Sequence, residues 1–190
     1  MNATDTAFVL LCATMVMLMT PALALFYGGL VRSRNVLSTH MHSYASLGVI
    51  SLLWAFFGYS LAFGGDIGGL IGDFSYMFLR GVGSEAAPAA SQLPHNAFMA
   101  FQGMFAVLTV ALISGAYAER IRFGAMLCFS CLWLAFVYCP MAHWVWGGGW
   151  MMRMGALDFA GGAVVHMASA AAALACAHAV GPRRMAASAL

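Results

Sequence analysis

The stretch NAFMAFQGMFAVLTVALISGAY, residues 96–117, decides the fold because it contains no charged side chain and is mostly apolar. A helix that crosses the hydrocarbon layer of a membrane needs about 20 mostly apolar residues. Four more apolar runs of comparable length lie near residues 5–31, 41–63, 123–143 and 160–180. The sequence therefore predicts five transmembrane helices.

Composition supports an all-α integral membrane protein. Apolar residues make up 63% of the 190 positions and charged residues only 7%, whereas a soluble domain has roughly 25% charged residues. The alternative, a large helical soluble core, requires charged stripes that face water, and the five runs carry none. We therefore treat residues 1–190 as one membrane domain.

The arginines predict the orientation of the chain. Six of the eight follow the first, third or fifth span and so share one side of the membrane: Arg32, Arg34, Arg120, Arg122, Arg183 and Arg184. The opposite side holds Arg80 and Arg153. Because arginine is enriched in short cytoplasmic loops, we expect the amino terminus outside a multi-pass protein of the cell (inner or plasma) membrane.

The five cysteines all fall within predicted spans. Cys128 and Cys131 have CxxC spacing, but one such pair without further ligands is weak support for a metal site. Buried cysteine usually behaves as a small apolar residue. We predict neither a metal nor a cofactor.

Aromatic residues give the first candidate site. Trp144, Trp146 and Trp150 lie at the outer end of the fourth span, where an aromatic belt is the ordinary interpretation. Trp146 differs because three glycines, residues 147–149, follow it directly. Glycines allow other groups to approach the indole closely, and an accessible indole face attracts a cation.

Phe101 and Phe105 are four residues apart in the third span and therefore share one helix face. Aromatic pairs at this spacing usually pack in a core. The alternative is that they line a pore.

His166 would lie about 10 Å inside the membrane if the fifth span begins near Phe159. An ionisable group at such depth is by default a functional-site hypothesis, and the alternative is a structural hydrogen bond to a neighbouring helix. Asp158 precedes the same span. Its position suits a helix N-cap, and its negative charge would also favour cations at the outer mouth.

Several segments together resemble the ammonium transporter (Amt/Mep/Rh) family. They are FYGGLVRSRNVLS at 26–38, GYSLAFG at 58–64, AERIRF at 118–123, AHWVWGGG at 142–149 and GALDFAGGAVVH at 155–166. They cover almost the whole chain in the family's order, so the resemblance is far stronger than that of a single motif.

The resemblance implies a role for each candidate residue. Trp146 and Phe101 would belong to an outer cation-recruitment site, and Phe105 would close the pore beneath it. His166 would be the first of two paired histidines in a hydrophobic conduction path. Asp158 would hold the recruitment site together. The implied activity is transport of ammonium or ammonia, and not an enzymatic reaction.

The resemblance also implies one repeat of an inverted-repeat transporter fold. The chain corresponds to the first half, so we expect the pathway to be incomplete without a second half. Family members are trimers, and bacterial members bind P-II signalling proteins at the cytoplasmic face. The alternatives are an ammonium-sensing membrane module, a non-conducting truncated remnant, and a haem-binding membrane anchor.

Overall fold

The computed structural model describes residues 1–183, which contain five helices long and apolar enough to cross a membrane. In chain order the spans are Ala3–Gly28, Ser33–Phe63, His95–Tyr117, Phe123–Arg153 and Gly162–Val180. They are called the first to fifth helices below. The prediction of five spans is confirmed. Arg184, which contributed to the predicted orientation, lies outside the described residues.

Two boundaries differ clearly from the prediction: the fourth helix ends at Arg153 rather than near residue 143, and the second helix starts at Ser33 rather than near residue 41. The start of the second helix has a local explanation. Its first turn, Ser33–Asn35, is a 3-10 helix. The polar residues Ser38, Thr39 and His40 follow within the helix. They interrupt the apolar run, so a count of apolar residues alone places the start too late.

The second and fourth helices each contain a wide π-helical turn. The second helix consists of Val36–Leu53, the π turn Trp54–Gly58, and Tyr59–Phe63. The fourth consists of Phe123–Trp133, the π turn Leu134–Tyr138, and Cys139–Trp146; a short helix, Trp150–Arg153, follows three glycines later. The two π turns face each other, since the rings of Trp54 and Tyr138 lie 6.1 Å apart.

The connection between the second and third helices contains two small antiparallel ribbons. Asp66–Ile67 pairs with Ile71–Gly72, and Ala86–Ala87 pairs with Ala90–Pro94. A 3-10 turn, Met77–Leu79, lies between them. The sequence predicts a long irregular loop here, with a short interfacial helix at residues 74–79, and the 3-10 turn lies within that segment. The ribbons were not predicted, because three of their four strands have only two residues and are too short to produce an alternating apolar pattern.

The third helix forms the centre of the molecule. It packs against the first, second and fifth helices, and 61% of its most apolar stretch is buried, compared with 17% for the first and fifth helices. Gly115 allows the first helix to approach closely, since an added Cβ would lie 2.6 Å from the Tyr27 ring. The Tyr27 hydroxyl then donates to the Leu112 carbonyl at 2.8 Å.

Candidate functional site

Four of the five candidate residues meet at one end of the bundle. The ring of Phe105 lies 4.9 Å from that of Phe101 and 6.4 Å from that of Trp146, edge-on in both cases. The Trp146 indole donates from Nε1 to the Asp158 carbonyl at 2.9 Å. All three aromatic side chains are half-buried. The structure thus joins the first half of the third helix, the end of the fourth and the residue before the fifth in one aromatic group.

Asp158 caps the fifth helix. Its Oδ1 accepts from the Gly162 amide at 2.7 Å, and its Oδ2 accepts from the amides of Ala163 at 2.9 Å and Val164 at 3.1 Å. Gly161 turns the chain into the helix with a φ of 75°, a conformation that glycine adopts without steric penalty. The Asp158 carboxylate thus accepts amides at the start of the helix, as the sequence predicts, but the N-cap residue itself is Gly161 and not Asp158.

His166 lies in the π-helical first turns of the fifth helix, Gly162–Met167. This segment packs against the third helix and the end of the fourth, the elements that carry Phe105 and Trp146. The His166 side chain is exposed, and within residues 1–183 it makes no hydrogen bond. Because the helix begins at Gly162 and not near Phe159, His166 lies about 6 Å along it rather than about 10 Å.

A polar clamp holds the connection between the second and third helices against the end of the fourth helix. The His143 ring is fully buried, with Nδ1 3.0 Å from the Ala62 carbonyl and Nε2 2.8 Å from the Asp66 carboxylate. The same carboxylate pairs with Arg153. Trp146 follows His143 by one helical turn, so the clamp fixes the backbone that positions the indole.

From the sequence, the position of His143 near the outer end of its span predicts an interfacial or structural role, whereas nothing singles out Asp66. A single carboxylate after two glycines has no motif around it, and its partner is 77 residues away. Hydrogen bonds with His143, which has the larger effect, and with Arg153 hold the pKa of Asp66 below its ordinary value of 3.8. This carboxyl group is therefore negative at neutral pH.

A cavity of about 370 Å³ opens beside Trp146 on the same side of the bundle. Its lining includes Phe63, Tyr76, Met152 and the backbone of Gly147. Within residues 1–183, no group of three or more histidine, cysteine or carboxylate side chains is arranged to hold a metal ion. The site that the described chain offers is thus aromatic, with carboxylates at its edge.

These features define a multi-pass, α-helical membrane protein. A sequence profile of the Ammonium Transporter Family matches residues 7–189, and the chain belongs to that family. The resemblance inferred from the sequence is thereby confirmed, as is the predicted multi-pass location in the plasma membrane.

Two curated relatives show how much of a family member the chain represents. An ammonium transporter of Bacillus subtilis (strain 168) is 54% identical over 184 residues, which cover 97% of this chain and 45% of the relative. A putative ammonium transporter of Methanothermobacter thermautotrophicus is 51% identical over 185 residues, which cover 96% of this chain and 45% of the relative. The chain therefore spans less than half the length of these relatives.

Solved structures agree with this assignment. The crystal structure of Candida albicans Mep2 superimposes with a TM-score of 0.87 at 36% identity, covering 96% of this chain and 40% of Mep2. A structure described as a sensor Amt protein gives a TM-score of 0.87 at 30% identity, and the match covers 94% of this chain and 44% of the sensor protein.

Proposed function

We propose that this chain supplies the first half of a transmembrane pathway for ammonium or ammonia. The observation that carries the proposal is the continuous group of Trp146, Phe105 and Phe101, which is tied through Asp158 to the helix that bears His166. Membership of the family and the names of the curated relatives support ammonium as the substrate.

The proposed mechanism begins with cation recruitment. An indole face attracts a cation by about 0.5–2 kcal/mol, and by more where water is partly stripped away, which is the role proposed for Trp146 with Phe101. Phe105 closes the passage below. An apolar constriction carries a charge only at high energetic cost, so we propose that ammonium gives up its proton there and that neutral ammonia crosses.

His166 would line the passage beyond Phe105. A neutral imidazole has one donor and one acceptor nitrogen, and its ordinary pKa lies close to physiological pH. It can therefore hydrogen-bond ammonia and exchange a proton. Its exposed position on the fifth helix supports a role at the boundary with the second half of the pathway.

The proposal extends to the assembly. In an inverted-repeat transporter the pathway lies between two repeats, so the complete unit requires a second half, and we propose that complete units form a trimer. The bias of the arginines supports an amino terminus outside. A P-II regulatory protein would then contact the arginine-bearing, cytoplasmic face.

The test is methylammonium uptake in proteoliposomes that contain this chain and a second chain with the later helices of the Bacillus subtilis relative. The matched positive control is that relative divided at the same point. We expect uptake from the pair and none from this chain alone. If the divided relative transports and the hybrid pair does not, the proposal is wrong.

Two tryptophan variants separate the site from general damage. Trp146→Leu should lower uptake efficiency about 2- to 30-fold, the range that corresponds to the loss of one cation–π contact. Trp150→Leu changes an exposed indole whose ring contact is with Trp144, and it should leave uptake unchanged. Equal losses in the two variants would contradict the assignment of Trp146.

The second candidate function is ammonium sensing, which the similarity to the sensor Amt protein favours. In that case methylammonium would change the tryptophan fluorescence of the reconstituted pair, and no uptake would accompany the change. The two measurements on one sample distinguish the candidates.

A further inference from the structure

A cavity of about 510 Å³ lies at the opposite end of the bundle from the aromatic group. It is formed where the first and third helices end, the second begins and the fifth ends, and four arginines contribute to its lining: Arg32, Arg34, Arg120 and Arg183. Its volume falls within the range of about 300–1,000 Å³ that is typical of ligand sites. None of the residues proposed to form the transport pathway lines this cavity.

The one acidic residue in the lining, Glu119, is already engaged. Its Oε1 accepts from the Asn35 side chain at 2.8 Å and from the Arg32 amide at 3.0 Å, and its Oε2 lies 3.9 Å from Arg183. These hydrogen bonds hold the pKa of Glu119 below its ordinary value. Glu119 thus fixes the corner between the helices, while four arginines against one glutamate leave the lining positive.

The lining arginines differ in the donors that they keep for a ligand. Arg120 donates to the carbonyls of Ala116 and Gly181, which end the third and fifth helices, while its buried Nε has no partner within the described chain. The Arg34 side chain is exposed and makes no hydrogen bond or ion pair with any residue from 1 to 183. The Arg34 guanidinium is therefore available to donate to a ligand in the cavity, and the engaged Arg120 guanidinium adds positive charge to the lining.

We propose that this cavity binds a phosphate-bearing anion, either the headgroup of an anionic phospholipid or a soluble phosphate. Guanidinium groups match phosphate oxygens through paired, charge-assisted hydrogen bonds. The cavity lies among the ends of membrane helices and therefore at headgroup level, and basic pockets between transmembrane helices are suited to anionic headgroups. The start of the second helix adds a favourable dipole for an anion. This inference does not depend on transport of ammonium.

The test is a calorimetric titration of the purified chain in neutral detergent micelles with three probes: short-chain phosphatidylglycerol, short-chain phosphatidylcholine and inorganic phosphate. Saturable binding of phosphatidylglycerol alone identifies a lipid site, and binding of inorganic phosphate with similar affinity identifies a soluble phosphate. Either result supports the proposal. Equal binding of phosphatidylcholine and phosphatidylglycerol, or no saturable binding of any probe, overturns it.

Three arginine variants test the location. Arg34→Gln should weaken binding about fivefold, the contribution of one basic side chain near a phosphate surface. Arg122→Gln, on the same side but outside the lining, and Arg80→Gln, in the outer connection, should each leave the affinity unchanged. Arg34 makes no side-chain contact that holds the described fold, so the variant should fold, which circular dichroism checks. Equal weakening in all three variants would mean non-specific attraction by net charge and would overturn the proposal.

Discussion

Replacement of Asp158 by alanine tests the structural link between the aromatic group and the fifth helix. The first four amides of a helix lack intrahelical partners, and the Asp158 carboxylate satisfies three amides at the start of this one, at 2.7–3.1 Å. Asp158→Ala removes all three acceptors. Asp158→Asn keeps one oxygen and removes the charge.

The expected loss can be worked out from these contacts. Removing a side-chain N-cap costs about 0.5–2 kcal/mol, and losing a negative charge at a helix amino terminus adds about 0.3–1 kcal/mol. Asp158→Ala should therefore lower the free energy of unfolding by about 2 kcal/mol, and Asp158→Asn by about half of that. For a chain of this size, about 2 kcal/mol corresponds to a fall in Tm of roughly 4–8 °C.

The assay combines thermal unfolding in detergent micelles with amide hydrogen exchange of residues 158–167. In Asp158→Ala we expect faster exchange at the start of the fifth helix and unchanged exchange in the centre of the third. The control is Asp5→Ala, because Asp5 is an exposed acid in the first turn of the first helix, where only the dipole contribution is lost. If Asp158→Ala shifts Tm no more than this control and exchange stays slow, the reasoning about the cap is refuted.

Two further variants test the clamp and the glycine turn at the end of the fourth helix. Asp66→Asn should make the stability of the fold less sensitive to acid. The hydrogen bond with His143 lowers the pKa of Asp66 below 3.8, so the ionised carboxylate stabilises the fold at higher pH. This contribution is lost as the pH falls through the lower, folded-state pKa. Melting curves at decreasing pH check this, and a variant that loses stability as steeply as the parent contradicts it. Gly147→Ala should destabilise the fold by about 1–3 kcal/mol, because the new Cβ would lie 2.0 Å from the Ala62 carbonyl. Chemical or thermal unfolding measures this loss against Gly124→Ala, where nothing lies within 4 Å.

The sequence predicts the number and order of the helices because membrane insertion depends on the length of apolar runs, which is a local property. It places the start of the second helix too late, since Ser38, Thr39 and His40 are polar although Thr39 is buried. The π turns at Trp54 and Leu134 were not predictable, because they depend on how two helices fit together and have no local sequence signal.

Some features of the candidate site could likewise be predicted from the sequence and others could not. The capping role of Asp158 could be predicted, since a carboxylate just before a helix has a direct local partner. The grouping of Phe101, Phe105 and Trp146 followed from the family resemblance, because spacing alone favours core packing. The clamp between Asp66 and His143 joins residues 77 positions apart, and only the tertiary structure brings them together.

The exposed face of the fifth helix gives a physical reason to expect a protein surface, and not lipid, against His166. His166, Ala170, Leu174 and His178 recur every four residues, and all four are exposed. Imidazoles are unfavourable in contact with hydrocarbon, whereas small residues such as Ala170 are enriched where membrane helices pack closely. A helix face that carries both histidines and a small residue is suited to pack against the second half of a transporter. In the proposed complete unit, this packing would place His166 in the passage between the two halves.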